Sequence, residues 1–238
     1  MRLTVVMPGS AEHLPLVRKE CEQWTATDTE VEVVALGDDV GSVASRYEIA
    51  LAAPAILAEV VKAATSGSDG VFIDCAGDPA VHAAREVVDI PVVGGFQPAL
   101  LTALALGHRV GVISVLPGVV PIFRELIRHD ALSERCGSVR VINTPTLSVH
   151  DQATLVDHLH TQASQAVAAG EADVIVLGCT GFIGVASALQ DLLAADGQYV
   201  PVVDPTGAAL TWLESAVRMK VRPSRTTYTP PPEMTWLS

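Results

Sequence analysis

Two stretches of this chain, DGVFIDCAGDPA at residues 69–80 and DVIVLGCTGFIG at residues 173–184, share one plan. Each opens on Asp, runs through a short apolar strand, and ends in a cysteine followed by a glycine-containing loop. Two further matches flank them in the same order: Arg2-Leu-Thr-Val-Val-Met7 with Arg109-Val-Gly-Val-Ile-Ser114, and Ile90-Pro-Val-Val-Gly94 with Val200-Pro-Val-Val-Asp204. In chain order the offsets are 107, 104 and 110 residues, differing only as loop insertions would make them. The chain therefore reads as two similar halves.

Working outward, short β-branched runs alternate with Ala/Leu-rich amphipathic stretches, the pattern of buried parallel sheets flanked by helices. The fold class is α/β, with strands expected at 3–7, 31–36, 70–74, 91–93, 109–114, 139–142, 173–177 and 200–203. Long helices are expected from about Ala44 to Ala64, kinked at Pro54, and from Gln152 to Ala169, where Leu155, Leu159, Ala163 and Ala166 recur at helical spacing. The expected architecture is two Rossmann-like lobes related by a pseudo-two-fold, with the active site in the cleft between them. Lobe 1 is expected over 1–105, with a C-terminal helix at 205–220 able to join it, and lobe 2 over 106–204. Residues 221–238, rich in Pro, form an extended tail whose Trp236-Leu237 end is expected to dock on this subunit or a neighbour.

Composition narrows the function. In 238 residues, 49% are hydrophobic, enough for a sizeable core, and 15 Lys+Arg against 27 Asp+Glu give a net charge of -12. A polyanion would meet net repulsion, so nucleic acid is not an expected partner. The apolar run after Arg2 stops at Pro8, too short for a signal-peptide core, and no later run is long enough to cross a membrane. A cytoplasmic protein without membrane contact is expected. The four cysteines, spaced 54, 61 and 43 apart, form neither a disulfide framework nor a CxxC pair.

Cys75 and Cys179 each end a strand, the edge of a parallel sheet where ligands bind. Asp78-Pro79 has the form of an N-cap and first helical turn, which would put Cys75 near the positive end of a helix and lower its pKa from about 8.5 towards neutrality. Backbone N–H groups of the two loops are suited to hold a carboxylate or a developing enolate oxygen. Two thiols acting on opposite faces of one carbon satisfy a racemase that works without cofactor, one removing the proton and the other delivering it from the far side. A single cysteine at a strand end reads equally well as a small buried hydrophobe; a pair at equivalent ends does not. Cys21, on an expected surface helix, and Cys136, near a helix-to-strand turn, are read as structural.

The segments FIDCAGDPAVHAAREVVDIPVVG (72–94) and VIVLGCTG (174–181) resemble the two cysteine motifs of the Asp/Glu/hydantoin racemase superfamily, the first especially its hydantoin racemase branch. SRYEIALAAP (45–54) and LGHRVGVIS (106–114) extend the resemblance, which runs from Arg2 to about Arg218. It implies a cofactor-independent, two-base inversion at an acidic carbon, with Cys75 and Cys179 as acid and base. One departure concerns the substrate: hydantoin racemases usually carry Asn-Pro-Asn after the first strand, where this chain has Met7-Pro8-Gly9-Ser10. After the second cysteine Thr180 matches glutamate racemases, but Gly181 stands where they have an assisting His. Cys75 stands where arylmalonate decarboxylases have Gly, against that reaction, while maleate isomerases keep both cysteines and use one as a nucleophile.

The substrate-binding candidates are Pro8, Gly9 and Ser10 after the first strand, Ala76, Gly77 and Asp78 after Cys75, Ser114 and Val115 after the half-repeat strand, and Thr180 with Gly181 after Cys179. Ser114 reads equally as a helix cap, and Tyr47 as a substrate contact or a core residue. Phe96 is a candidate for shaping the pocket, and Asp74 for orienting groups behind the cysteine. His158 and His160, two apart on a helix, project away from each other and do not form a metal pair. No GxGxxG, Walker A or GxSxG motif occurs, so neither metal nor organic cofactor is expected. The expected function is racemisation of a 5-substituted hydantoin or a cyclic ureide such as allantoin, by a homo-oligomer. The competing readings are an aspartate/glutamate-type racemase, a maleate-isomerase-like enzyme, and a non-catalytic small-molecule binding protein.

Overall fold

The computed structural model describes residues 1–37, 40, 43–144 and 152–232. They form two compact units, one of residues 1–95 with 209–232, the other of residues 96–208. All eight expected strands are present.

In the first unit, β1 (Arg2–Met7), β2 (Glu30–Ala35), β3 (Gly70–Ile73) and β4 (Val92–Val93) make a parallel sheet in the order β2-β1-β3-β4. In the second, β5 (Val110–Ser114), β6 (Cys136–Val141), β7 (Val174–Leu177) and β8 (Val202–Val203) repeat it as β6-β5-β7-β8. The repetition extends to register: Phe72 of β3 lies opposite Val93, and Val176 of β7 opposite Val203. The central strands β1, β3, β5 and β7 are buried almost throughout, as strands covered on both faces must be. Edge strands β2 and β6 carry charge, paired as Arg2 with Glu32 at 2.6 Å and Arg140 with Glu171 at 3.0 Å, which blunts edge-to-edge association.

Helices α1 (Leu14–Trp24), α2 (Arg46–Thr65) and α3 (Val81–Val87) belong to the first unit. A capping box starts α2: the Glu48 N–H donates to Ser45 Oγ at 3.2 Å, and the Ala44 N–H donates to Glu48 Oε2 at 2.9 Å. Ala52, Ile56, Val60 and Ala63 form its buried stripe against Val6, Val71 and Ile73. Pro54 lies on the exposed side, and the helix runs through it without a break. Helix α1 is an amphipathic surface helix, and Cys21 lies on its inner face with Val17, fully buried, as a structural cysteine.

The second unit adds α4 (Phe96–Leu106), α5 (Val120–His129), α6 (Gln152–Ala168) and α7 (Ala186–Ala195). Leu155, Leu159, Ala163 and Ala166 of α6 are buried, as their spacing implies. Helix α4 packs on β5 and β7, within the second unit. Helix α8 (Pro205–Arg218) passes from the second unit to the first, where Glu214 accepts hydrogen bonds from the Ala26 N–H at 2.9 Å and from the Thr29 hydroxyl.

The tail is anchored on α3 of its own unit. The Arg225 guanidinium donates to the carbonyls of Arg85 at 2.8 Å and of Val88, and to Asp89 Oδ1 at 2.9 Å. The Tyr228 hydroxyl accepts from Arg85 Nη1 at 3.0 Å, while Arg85 Nε reaches the Val92 carbonyl of β4 at 2.8 Å. Trp236 and Leu237 lie outside the described residues.

Candidate active site

In each sheet the chain moves from its first strand outward to one neighbour, then crosses to the other side. The carboxyl ends of β1 and β3, and of β5 and β7, are thus the topological switch points where open α/β sheets bind ligands. The two cysteines stand at these points, each two residues beyond its strand.

Around Cys75 the backbone is tied from three directions. The Asp74 N–H donates to the Val6 carbonyl of β1 at 2.9 Å, continuing the ladder past the end of β3. The Cys75 carbonyl then accepts from the Asp78 N–H at 3.2 Å and the Gly95 N–H at 3.1 Å, so the loop is held both to itself and to the segment after β4. The Gly77 N–H approaches Cys75 Sγ at 3.4 Å.

Cys179 repeats two of these ties. The Gly178 N–H donates to the Ile113 carbonyl at 2.7 Å, and the Phe182 N–H to the Cys179 carbonyl at 3.2 Å. Both cysteines are partly exposed, and none of the four cysteines is in a disulfide. Burial pushes the Cys21 thiol far above its ordinary range, with nearby Asp74 and Glu20 adding to the shift, and raises Cys136 to about 11 against the pull of Arg135. Neither is a ready thiolate at neutral pH.

The expected helix start beside Cys75 needs correction. Asp78, at φ 47°, and Ala80, at φ 57°, are both in the left-handed region, and α3 begins only at Val81, whose N-terminal boundary, Ala80, makes no side-chain cap. Asp78 therefore does not cap α3. Its carboxyl group lies instead against Gly94.

The other candidates divide by what their side chains do. Ser10 caps a 3-10 turn over Ala11–His13, its Oγ accepting the Glu12 N–H at 3.3 Å, while Pro8 and Gly9 line the end of β1. Gly9 sits at φ 134°, and its carbonyl accepts the Gly37 N–H at 3.1 Å. Tyr47, in the first turn of α2, is 73% exposed. Ala76 and Val115 are buried, Thr180 is half-buried and Gly181 is exposed. Phe96 is fully buried, tilted on Phe123 with ring centres 4.9 Å apart. Ser114 is also fully buried and caps no helix; its hydroxyl donates to the Gly178 carbonyl at 2.5 Å.

Two features escaped the sequence reading. The Gly95 N–H on the Cys75 carbonyl has no side-chain signature. Asp204, buried at the start of α8 with its carboxylate on the Gly207 N–H at 2.9 Å, does have one: the repeat aligns it with Gly94. Among the described residues no group of three or more His, Cys, Asp or Glu is placed to hold a metal ion. His160 pairs with Asp196 at 2.9 Å. No helix among them is long and apolar enough to cross a membrane.

The family model for Asp/Glu/hydantoin racemase matches residues 5–213. A hydantoin racemase from Paenarthrobacter aurescens is 31% identical over an alignment covering 100% of both chains. Among solved structures, the chain is similar to the allantoin racemase of Klebsiella pneumoniae, with a TM-score of 0.89 and 27% identity over 98% of this chain and 94% of that one. The allantoin racemase of Pseudomonas fluorescens gives a TM-score of 0.89 at 29% identity over 99% of each chain.

Proposed function

Because the chain belongs to the Asp/Glu/hydantoin racemase family and is an isomerase of the racemase type, we propose that Cys75 and Cys179 perform a cofactor-independent, two-base inversion. The substrate class is a 5-substituted hydantoin or a related cyclic ureide such as allantoin. One observation carries the reading: the two cysteines occupy register-equivalent positions, each three residues beyond a strand residue, Phe72 or Val176, paired to the last strand of its sheet.

The C5 proton of a hydantoin is acidified by its neighbouring carbonyl, and its removal leaves an enolate. A thiolate on one face takes the proton, and the thiol on the other face returns one, inverting the carbon. The enolate oxygen needs N–H donors already in place, which loops at strand ends can supply. The N–H of Gly77, aimed at Cys75 Sγ, is the kind of donor a thiolate accepts better than a thiol does. With Met7 and Gly9 in place of two Asn, this chain offers no amide side chains in the first loop, so recognition there falls to the backbone around Pro8, Gly9 and Ser10. A homo-oligomer in the cytoplasm is the expected working form.

The test is proton-deuterium exchange with polarimetry in D2O, on both enantiomers of a hydantoin panel, allantoin, aspartate and glutamate. Exchange with inversion on a cyclic ureide, abolished in Cys75→Ser and Cys179→Ser, supports the proposal. Inversion of the amino acids alone changes the substrate class, and no exchange on any of them favours an isomerase of unsaturated diacids or a binding protein.

A further inference from the structure

The shared register allows the two halves to be compared residue by residue. Phe72 opposite Val93 and Val176 opposite Val203 make Cys75 equivalent to Cys179, Asp78 to Phe182, and Gly94 to Asp204. The hydrogen bonds obey this equivalence, since Asp78 N to Cys75 O and Phe182 N to Cys179 O are both 3.2 Å. The carboxylates do not. In the first half the acid comes from the cysteine loop and the post-strand residue is glycine; in the second the acid follows the strand and the loop residue is Phe182, 1% exposed.

In space the exchange cancels. A Cβ on Gly94 would overlap Asp78 Oδ1 and lie 2.7 Å from its Cγ, so the Asp78 carboxyl fills the volume where a side chain of residue 94 would begin. At the equivalent position of the second half, the side chain of Asp204 does begin there. We infer that Asp78 and Asp204 are the same positioning carboxylate delivered from two different places in the sequence, each fixing the segment after the last strand of its sheet against the loop that carries that half's cysteine.

The remaining contacts agree. Gly95, following Gly94, donates its N–H to the Cys75 carbonyl at 3.1 Å, so displacing Asp78 from Gly94 loosens a direct hold on Cys75. In the second half the residue after Asp204 is Pro205, which has no N–H to give. There Asp204 caps its own segment, its carboxylate accepting the Gly207 N–H at 2.9 Å, and its hold on the Cys179 loop is inferred from the register equivalence with Gly94.

The inference rests on the two-cysteine reading, and the experiment separates the two. Deuterium exchange of each enantiomer of 5-methylhydantoin is measured in the Cys179→Ser enzyme, where Cys75 acts alone, and in the Cys75→Ser enzyme, where Cys179 does. Asp78→Gly is expected to lower Cys75-dependent exchange by about tenfold more than Cys179-dependent exchange, the scale on which small misplacements of a reacting group act. Asp204→Gly should show the opposite bias. Adding Gly94→Asp to Asp78→Gly, which gives the first half the second half's arrangement, should recover most of the lost exchange. Equal losses in both backgrounds overturn the inference, as does a folded double variant no better than Asp78→Gly alone. Should the double variant misfold, the isosteric Asp78→Asn decides: biased loss at an unchanged Tm supports the inference, and wild-type exchange overturns it. Full racemisation by either single-cysteine enzyme overturns the two-cysteine reading and this inference with it.

Discussion

The hydroxyl of Ser114, at the end of β5, donates to the carbonyl of Gly178 at 2.5 Å, so the peptide just before Cys179 is tied to the neighbouring strand by a side chain. Ser114→Ala leaves that buried carbonyl without its partner and is expected to cost about 1–3 kcal/mol in urea unfolding, with a fall in kcat. The tether also needs glycine opposite it. A Cβ on Gly178 would sit 2.9 Å from Ser114 Cβ and 3.0 Å from Val112 Cγ1, so Gly178→Ala should destabilise by about 1–3 kcal/mol through overpacking. Wild-type unfolding midpoints in both variants would refute this picture of the loop.

Replacing either Cys75 or Cys179 by Ser should lower kcat/KM for racemisation by roughly 100- to 10,000-fold, the range lost with a general acid or base. The two enantiomers have equal free energy, so the fall must be the same in both directions. Exchange need not be. Each variant should still wash deuterium into the enantiomer that its remaining cysteine deprotonates, and NMR of the two enantiomers separately reads this.

Thiol reactivity follows the thiolate, and burial raises Cys21 and Cys136 away from neutrality, Cys136 to about 11. Iodoacetamide at pH 8 should therefore leave these two unlabelled in the folded protein. Labelling of Cys136 should climb as the pH approaches 11. Peptide mapping checks both, and rapid modification of Cys21 at pH 8 without unfolding would contradict its burial.

Arg225 ties the tail to the last turn of α3 and to Asp89, with Nη2 2.8 Å from Asp89 Oδ1. Removing this charged fork in Arg225→Ala should cost about 2 kcal/mol, a fall in Tm of roughly 4–8 °C for a chain of this size. Arg225→Lys should rescue little, because a point charge cannot serve several carbonyls in one plane. Limited proteolysis within 221–232 should quicken in both variants.

Burial pushes the Asp204 carboxyl above the ordinary Asp range, while the N–H groups of Gly207 and Thr206 pull it down. A raised folded value means that the native state binds the proton more tightly. This group's stabilising contribution is then full below the unfolded value of about 3.9 and is lost as pH rises through the folded value. Asp204→Asn keeps an acceptor for the Gly207 N–H without the buried charge. It should melt above the wild type at pH 7, with the gap closing below about pH 4, even while Cys179-dependent exchange falls. A lower Tm at pH 7 would mean that the charged cap outweighs its desolvation.

Local pattern carried much of this protein. The eight strands, the α6 stripe through Leu155, Leu159, Ala163 and Ala166, and the pairing of Cys75 with Cys179 by repeat are all legible in one dimension, because burial imposes a period on each element and duplication imposes an offset between them. The misread places are those where a residue's partner lies far along the chain. Asp78-Pro79 has the composition of a helix start, yet left-handed backbone at residues 78 and 80 delays α3 and turns the carboxyl onto Gly94. Ser114 serves Gly178 because β5 and β7 are neighbours, a pairing that sequence order does not specify. The elements, their repetition and the two cysteines are all written in the order of residues. Which backbone groups hold those cysteines, and that one carboxylate position is filled from residue 78 in one half and from residue 204 in the other, emerge only once the chain is folded, because hydrogen bonds depend on distance in space and composition records only distance along the chain.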